Sequence, residues 1–182
     1  MFEAIERVRQ RQSQIVESLA RSRVAYALSG SNATFEWVAS VEEAAVRQYR
    51  NVEFIIRRES LPNATHGLSK IGLIAEEREN DVLFRLYPEQ RERWTDRALF
   101  AGQMMSGSGS HIPDLGNVSL VNNTCLLPLH TLVEFQLSRW ELDDKVDLRD
   151  LLDVGLLDDS WLLRLPSPLA ERLQELLDDP DG

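Results

Sequence analysis

Cysteine is nearly absent from this chain of 182 residues, which carries Cys125 as its single copy. One cysteine excludes an internal disulfide and any zinc site built from several thiolates. The three histidines, His66, His111 and His130, are far apart and lack the paired i, i+4 spacing of metal ligands on a helix. The sequence therefore predicts no metal centre of the cysteine or histidine kind.

Long hydrophobic runs are also missing, although 43% of the residues are hydrophobic. Charged residues interrupt every apolar stretch, so neither a signal-peptide core nor a membrane span of roughly 20 residues can be drawn. A charged fraction of 27% lies in the ordinary range of globular proteins. We expect a cytoplasmic protein with no membrane contact.

Basic residues are in the minority, with 20 Lys and Arg against 30 Asp and Glu, which gives a net charge of -10. This balance argues against general nucleic-acid binding. The acidic excess follows Trp140, whereas the segment before Val24 is locally basic. Two interpretations stay open: solvated helix faces, or a complementary contact between the two ends or between subunits.

Hydrophobic periodicity predicts an α/β body followed by helices. A first amphipathic helix is expected from about Phe2 to Arg21. Further helices are expected at Asn32–Ala39, Pro62–Leu68, Pro128–Trp140, Asp147–Leu152, Asp159–Leu163 and Pro168–Leu177. Strands are expected at Val24–Leu28, Val52–Ile56, Ile71–Ala75, Val82–Leu86 and Val118–Leu126, and the Gly/Ser run at 106–110 is expected to be a loop. We predict an α/β domain over residues 1–126 and a small C-terminal helical region over 127–182.

A strand, a glycine turn and a helix follow one another around Gly30. Glycine lets the backbone approach a phosphate, and the start of a helix directs amide hydrogens and the positive end of its dipole towards it. Candidate nucleotide-binding residues are therefore Ser29, Gly30, Ser31 and Asn32. A turn without a ligand is the alternative interpretation.

Asn51 and Glu53 lie two residues apart, one just before the second predicted strand and one within it, so their side chains face one side of an extended backbone. A pair of acids at this spacing can bind Mg²⁺. Asn51 offers only a neutral carbonyl, and Glu53 has one methylene more than aspartate. Glu53 is the remaining candidate metal ligand, with Asp81, at the edge of the later hairpin, as a further acid.

The segments 24–33 and 50–57 resemble the opening of a minimal nucleotidyltransferase, a family with Gly-Gly-Ser at a helix start and Asp-x-Asp on the next strand. The tail, from Leu127-Pro128-Leu129 through 147–152, resembles the helices of nucleotidyltransferase-like toxins of the type IV toxin-antitoxin class. The resemblance implies an α/β (α+β) fold with a mixed sheet, flanking helices and a small C-terminal helical region. It also implies Mg²⁺ and a nucleoside triphosphate as ligands.

Several positions depart from the family pattern, and each departure removes a contact to phosphate or metal. Ser29 stands for the first glycine, and Asn51 and Glu53 stand for the acid pair. Gln136 stands for a lysine that faces the nucleotide, and Asp143-Asp144 stands for a lysine-aspartate pair.

Three hypotheses follow from this pattern of departures. The leading one is a catalytically degenerate nucleotidyltransferase-like protein that acts as a nucleotide-binding, regulatory or interaction module. The alternative is an active metal-dependent transferase that moves a nucleoside monophosphate to a hydroxyl of a protein, an RNA or a small molecule, with Glu53, Asn51 and Asp81 at the metal. A third is a homo-oligomer or partner-binding protein whose basic first helix and acidic tail form the contact surface.

Overall fold

The computed structural model describes residues 2–45, 47, 49–86, 95–105 and 109–179. Seven strands are present in this part of the chain: β1 (Tyr26–Ser29), β2 (Glu53–Ile56), β3 (Leu73–Glu77), β4 (Asp81–Leu86), β5 (Asp96–Phe100), β6 (Ser119–Val121) and β7 (Thr124–Leu126). The α-helices are α1 (Phe2–Arg21), α2 (Gly30–Ala39), α3 (Leu61–Ser69), α4 (Leu129–Arg139), α5 (Leu142–Asp153) and α6 (Ser167–Asp178).

All seven strands form one mixed sheet in the order β3-β4-β5-β2-β1-β7-β6. The central pair β1 and β2 is antiparallel, and Ser29 lies opposite Glu53. Strand β5 pairs with β2 in parallel, and Arg97 lies opposite Glu53 in that register. Strand β4 is antiparallel to β5, and β7 is parallel to β1. The expected α/β class with a mixed sheet and flanking helices is confirmed.

The main core lies between the sheet and the helices that cover it. Strands β1, β2 and β5 are buried along nearly their whole length, which is typical of central strands. Residues from α1, including Ile15 and Leu19, and from α3, including Leu68, complete this core. The apolar stripe predicted for the first helix is therefore the face that packs against the protein.

A second hydrophobic cluster holds the C-terminal helices together. It contains Leu137 of α4, Leu151 of α5 and Leu173 of α6, with Trp161 from the intervening 3-10 turn. Val38 of α2 belongs to the same cluster, so α2 packs on both the sheet and the helical region. The domain boundary at residue 126 stays a prediction.

Two sequence predictions about the strands need correction. Strand β5 lies in a region for which we predicted no strand, because only the short run Ala98–Phe100 is apolar and it follows a polar stretch. The single strand predicted at Val118–Leu126 is a β-hairpin, β6 and β7, joined at Asn122 and Asn123. Both asparagines have positive φ, 47° and 63°, the backbone that a two-residue hairpin turn requires.

The remaining sequence predictions concern loops, membrane contact and charge. Residues 106–108 of the predicted Gly/Ser loop lie outside the described residues. Within the described ranges, no helix combines the length and the apolarity needed to cross a bilayer. On the basic first helix, Arg11 forms an ion pair with Asp96 at 3.1 Å, so this arginine contacts the sheet and not the acidic tail.

Asp96 joins β2 and β5 at the point where both strands begin. Its Oδ1 atom accepts a hydrogen bond from the Val52 N–H at 2.9 Å and contacts Arg11. Burial raises the pKa of Asp96 to about 6, an effect that Arg11 and the Val52 N–H only partly offset. The folded protein therefore holds a proton on Asp96 at pH values where the unfolded chain has released it.

We expect the contribution of Asp96 to the free energy of unfolding to fall as pH rises from about 4 to about 6, because the folded pKa of Asp96 is raised and not lowered. The variant Asp96→Asn should lack this component, which is on the order of 2–3 kcal/mol. Urea denaturation at several pH values measures it. The exposed Asp159→Asn is the matched control and should keep the native slope; parallel profiles for Asp96→Asn and the native protein would contradict the assignment.

Candidate functional site

A cleft of about 1050 Å³ opens where the start of α2 faces β2, the β4–β5 edge and α5. Backbone from the β1–α2 turn lines one wall, and charged side chains line the others. The charged lining residues are Arg47, Arg50, Glu53, Arg78, Asp81, Arg97, Arg139, Glu141, Asp143, Asp147 and Asp150. The cleft therefore contains both signs of charge in close proximity.

The β1–α2 turn depends on glycine at position 30. Gly30 has a φ of +60°, and a Cβ atom there would lie 3.0 Å from Oε1 of Glu53. Ser29, by contrast, has an extended backbone with φ of -139°, so a serine is tolerated where the family has its first glycine. The turn thus brings the start of α2 against β2 without a second glycine.

Asn32 and Ser31 lie in the first turn of α2. The fully buried Asn32 accepts a hydrogen bond from the Glu53 N–H on its Oδ1 atom at 3.0 Å. Its Nδ2 atom is buried in the cleft wall and has no hydrogen-bond partner among the described residues. The Ser31 side chain forms a hydrogen bond with Asp147 of α5.

Glu53 is held by three side chains. Its Oε1 atom accepts hydrogen bonds from Ser29 Oγ at 2.6 Å and from Arg139 Nη1 at 2.9 Å. Its Oε2 atom lies 3.2 Å from Arg139 Nη1 and 3.8 Å from Arg97 Nη1. Burial alone would raise the pKa of Glu53, but Arg139, Ser29 and Arg97 outweigh burial and lower it. Glu53 is therefore ionised and already paired.

These contacts extend into an ion-pair chain of five residues, Asp144–Arg139–Glu53–Arg97–Asp81. Arg139 binds Asp144 through Nε and Nη2, and Arg97 donates from Nε to Asp81 at 2.7 Å. The five residues come from α5, α4, β2, β5 and β4. Burial lowers the pKa of Arg139. The carboxylates of Glu53 and Asp144 raise this pKa by more, so the guanidinium keeps its charge. The chain connects the C-terminal helices to the sheet.

An acidic wall on α5 faces the β1–α2 turn. Asp143, Asp147 and Asp150 occupy one face of the helix, and Asp150 pairs with Arg47 at 2.5 Å. Burial raises the pKa of Asp147 well above its ordinary value, and the neighbouring carboxylates add to this shift against the Ser31 hydrogen bond. Asp147 is therefore shifted towards its protonated form, and Asp150 is the one acid of these three that pairs with an arginine among the described residues.

No protein-family model matches the chain, and no curated protein sequence is similar to it. Solved structures are similar. The solution structure of the antibiotic-resistance factor ANT(2″)-Ia matches 92% of this chain and 89% of its own chain, with a TM-score of 0.55 and 8% sequence identity. The crystal structure of ANT(2″)-Ia in complex with adenylyl-2″-tobramycin matches 81% and 89%, with a TM-score of 0.53 and 8% identity.

The chain has a nucleotidyltransferase fold. The fold that the resemblance implied is thus confirmed. At 8% identity, the nucleotidyltransferase similarity shows the fold alone.

Mg²⁺, which the nucleotidyltransferase fold implies, does not fit the residues present. Both oxygens of Glu53 are engaged by Arg139, and a second guanidinium lies within 3.8 Å. Within the part of the chain that the structure describes, no three His, Cys, Asp or Glu side chains form a metal-binding group. A divalent cation beside Glu53 would meet two fixed positive charges, which opposes its binding.

The structure brings most of the predicted site residues to the cleft. Asn51 is exposed at its rim, where its Oδ1 accepts from the Thr95 N–H at 3.3 Å, and Asp81 lies beyond Arg97. Gln136 lies elsewhere: it is fully buried behind the cleft and donates from Nε2 to Thr34 and Asp147. Asp144, one residue of the predicted Asp143-Asp144 pair, is buried against Arg139, whereas Asp143 lines the cleft.

Arg97 and Arg139 are residues of the candidate site that sequence reasoning missed. Arg97 lies on the unpredicted strand β5, so its position opposite Glu53 was not visible. Arg139 lies in the last turn of the helix predicted at Pro128–Trp140, but its partner is 86 residues away in sequence. The sequence offered one signal for these arginines, which is a glutamate, Glu53, on an otherwise apolar strand. A carboxylate buried in this way needs a cation from elsewhere in the chain.

We predict that Gly30→Ala destabilises the protein more than Gly155→Ala. Both glycines have positive φ, +60° and +71°, which costs an alanine about 1–2 kcal/mol. Only at Gly30 would the added Cβ also meet a side chain, at 3.0 Å from Glu53, whereas nothing lies within 4 Å at Gly155. Urea denaturation compares the two variants, and equal losses would show that the approach to Glu53 is unimportant.

We also predict that Arg139→Met lowers the free energy of unfolding by about 3 kcal/mol or more, because it leaves the buried Asp144 without its cation and Glu53 with only the more distant Arg97. The exposed Arg164→Met, which removes the same charge, is the control and should change stability by about 0.5 kcal/mol or less. A loss for Arg139→Met as small as for Arg164→Met would contradict the central role of the ion-pair chain.

Proposed function

We propose that this nucleotidyltransferase-fold protein binds a nucleoside triphosphate in the cleft and does not catalyse metal-dependent nucleotidyl transfer. The observation that carries the proposal is the engagement of Glu53, the remaining candidate metal ligand, by Ser29 and Arg139. Transfer of this kind uses a metal to bridge the phosphates and to neutralise the charge that develops on them. A carboxylate already bound to a guanidinium supplies that ligand only after the guanidinium is displaced.

Phosphate binding is supported by the start of α2. The first amides of a helix have no partner within it, and the Ser29 side chain binds Glu53 in place of capping these amides. The unpartnered Nδ2 of Asn32 is a further donor in the same wall. The free amides at the start of α2, the dipole of this helix and the Asn32 side chain together suit an anion. At ten residues, α2 is long enough to contribute its dipole.

Further positive charge stands at the cleft rim. Arg50 is exposed, lines the cleft and forms no ion pair with any residue that the structure describes. A triphosphate that extends from the α2 start towards this rim would contact its guanidinium. The cleft volume of about 1050 Å³ leaves room for the rest of a nucleotide.

A role for such a module in regulation or in protein contacts follows from the same proposal. A bound nucleotide would lie between α2, α5 and the sheet, so it would add contacts between the helical region and the α/β body. The toxin-antitoxin subtype, a protein partner and homo-oligomerisation stay predictions from the sequence.

The second candidate is an active transferase. Its support is that ANT(2″)-Ia, a protein with this fold, forms a complex with adenylyl-2″-tobramycin. The partly neutralised acidic wall of α5 also suits an acceptor that carries amines. This candidate requires that Mg²⁺ displace Arg139 or Arg97 from Glu53.

The test is isothermal titration with ATP, GTP, CTP and UTP, with EDTA or with Mg²⁺, together with an assay of pyrophosphate release. We expect binding without metal and no release of pyrophosphate. Arg50→Gln should weaken binding by up to roughly fivefold, since an exposed charge pair contributes up to about 1 kcal/mol. The exposed Arg57→Gln, outside the cleft, is the control and should bind as the native protein does. Absence of binding under every condition would end the proposal, and Mg²⁺-dependent pyrophosphate release would favour the transferase.

A further inference from the structure

Arg97 lies directly across from Glu53 on the neighbouring strand. In the parallel pairing of β2 and β5 these two residues are partners, and both side chains line the cleft. A carboxylate at position 97 would stand beside Glu53 and complete an acidic pair on adjacent strands. This chain places a positive charge there instead.

The two guanidiniums near Glu53 are not equivalent. Arg139 is 6% exposed and uses Nε and Nη2 for Asp144 and Nη1 for Glu53, so its donors are committed within the protein. Arg97 is 28% exposed, donates from Nε to Asp81 and stays 3.8 Å from Glu53, beyond hydrogen-bond distance. Arg97 is therefore the cation of the ion-pair chain that a ligand in the cleft can contact.

We propose that Arg97 supplies to the triphosphate the positive charge that a metal ion supplies in a metal-dependent site, so that the cleft selects the metal-free nucleoside triphosphate over its magnesium complex. This inference rests on the proposed function. A guanidinium binds phosphate oxygens through paired N–H donors, and it keeps its charge at any physiological pH.

The preference for the metal-free form follows from charge. The metal-free triphosphate carries more negative charge than its magnesium complex and leaves its oxygens open to guanidinium donors. The magnesium complex would bring a divalent cation near Arg97 and Arg139. Both guanidiniums would repel this cation. A purely structural Arg97, which only positions Asp81, would give no difference between the two forms.

The experiment is isothermal titration of the full chain with ATP as the probe, in EDTA and in excess Mg²⁺. We expect the native protein to bind ATP several-fold more tightly in EDTA. Arg97→Gln should weaken the EDTA affinity roughly tenfold or more, because a hydrogen bond to a charged group is lost. Arg97→Lys, which keeps the charge, should retain part of the affinity. Arg85→Gln should not change it, because Arg85 is an exposed arginine that pairs with Glu76 outside the cleft.

A reciprocal variant tests the same inference through metal binding. The double variant Asn51→Asp/Arg97→Asp replaces the cation Arg97 and the neutral Asn51 by two acids. We expect Mn²⁺ without nucleotide to raise the melting temperature of this variant and not of the native protein. Thermal melts of every variant establish that each is folded before titration.

The outcomes separate the two proposals. Tighter ATP binding in Mg²⁺ than in EDTA, or an unchanged affinity in folded Arg97→Gln, would overturn the role of Arg97 while nucleotide binding stands. The role of Arg97 would also be overturned if Mn²⁺ stabilised the native protein and Glu53→Gln abolished that stabilisation. No ATP binding in either buffer would end the proposed function, and this inference with it.

Discussion

The pairing of Glu53 with Arg139 is the interaction on which the candidate site depends. A carboxylate on a central strand is buried on nearly all sides and requires a compensating cation, and Arg139 reaches it from the end of α4. The same guanidinium satisfies Asp144, whose Oδ2 also accepts the Glu141 N–H at the start of α5. One arginine therefore fixes the position of β2, the end of α4 and the start of α5 at once.

The chemistry of the cleft follows from how the remaining charges are arranged around that pair. Donors are concentrated at the start of α2 and on Arg97 and Arg50, whereas carboxylates follow one face of α5. A ligand with an anionic end and a polar or cationic end would match this division. The fold explains why the two sides face each other, because α2 contacts both β1 and α5.

Much of the fold could be predicted from the sequence, and less of the site. Helices α1, α2, α3, α4 and α6 and the β3–β4 hairpin have strong periodicity or clear punctuation, so their positions followed from local pattern. Strand β5 has only three apolar residues after two charged ones, which local pattern cannot distinguish from a loop. Because Arg97 lies on that strand, the partner of Glu53 was missed, and Gln136 was assigned to the nucleotide when it is buried against Thr34 and Asp147. Partners far apart in sequence leave no local signal, and both arginines of Glu53 are of this kind.

The order of strands in the sheet has a consequence for how the chain folds during its synthesis. The two central strands, β1 and β2, are translated early, but their outer neighbours, β7 and β5, come from later parts of the chain, and Arg139 comes later still. During synthesis β1 stays an open edge until β7, at Thr124–Leu126, has left the ribosome. Glu53 stays without Arg139 until later still. Such non-local topology is associated with slow folding and with exposed strand edges on the nascent chain. The cleft is therefore among the last features of the molecule to form.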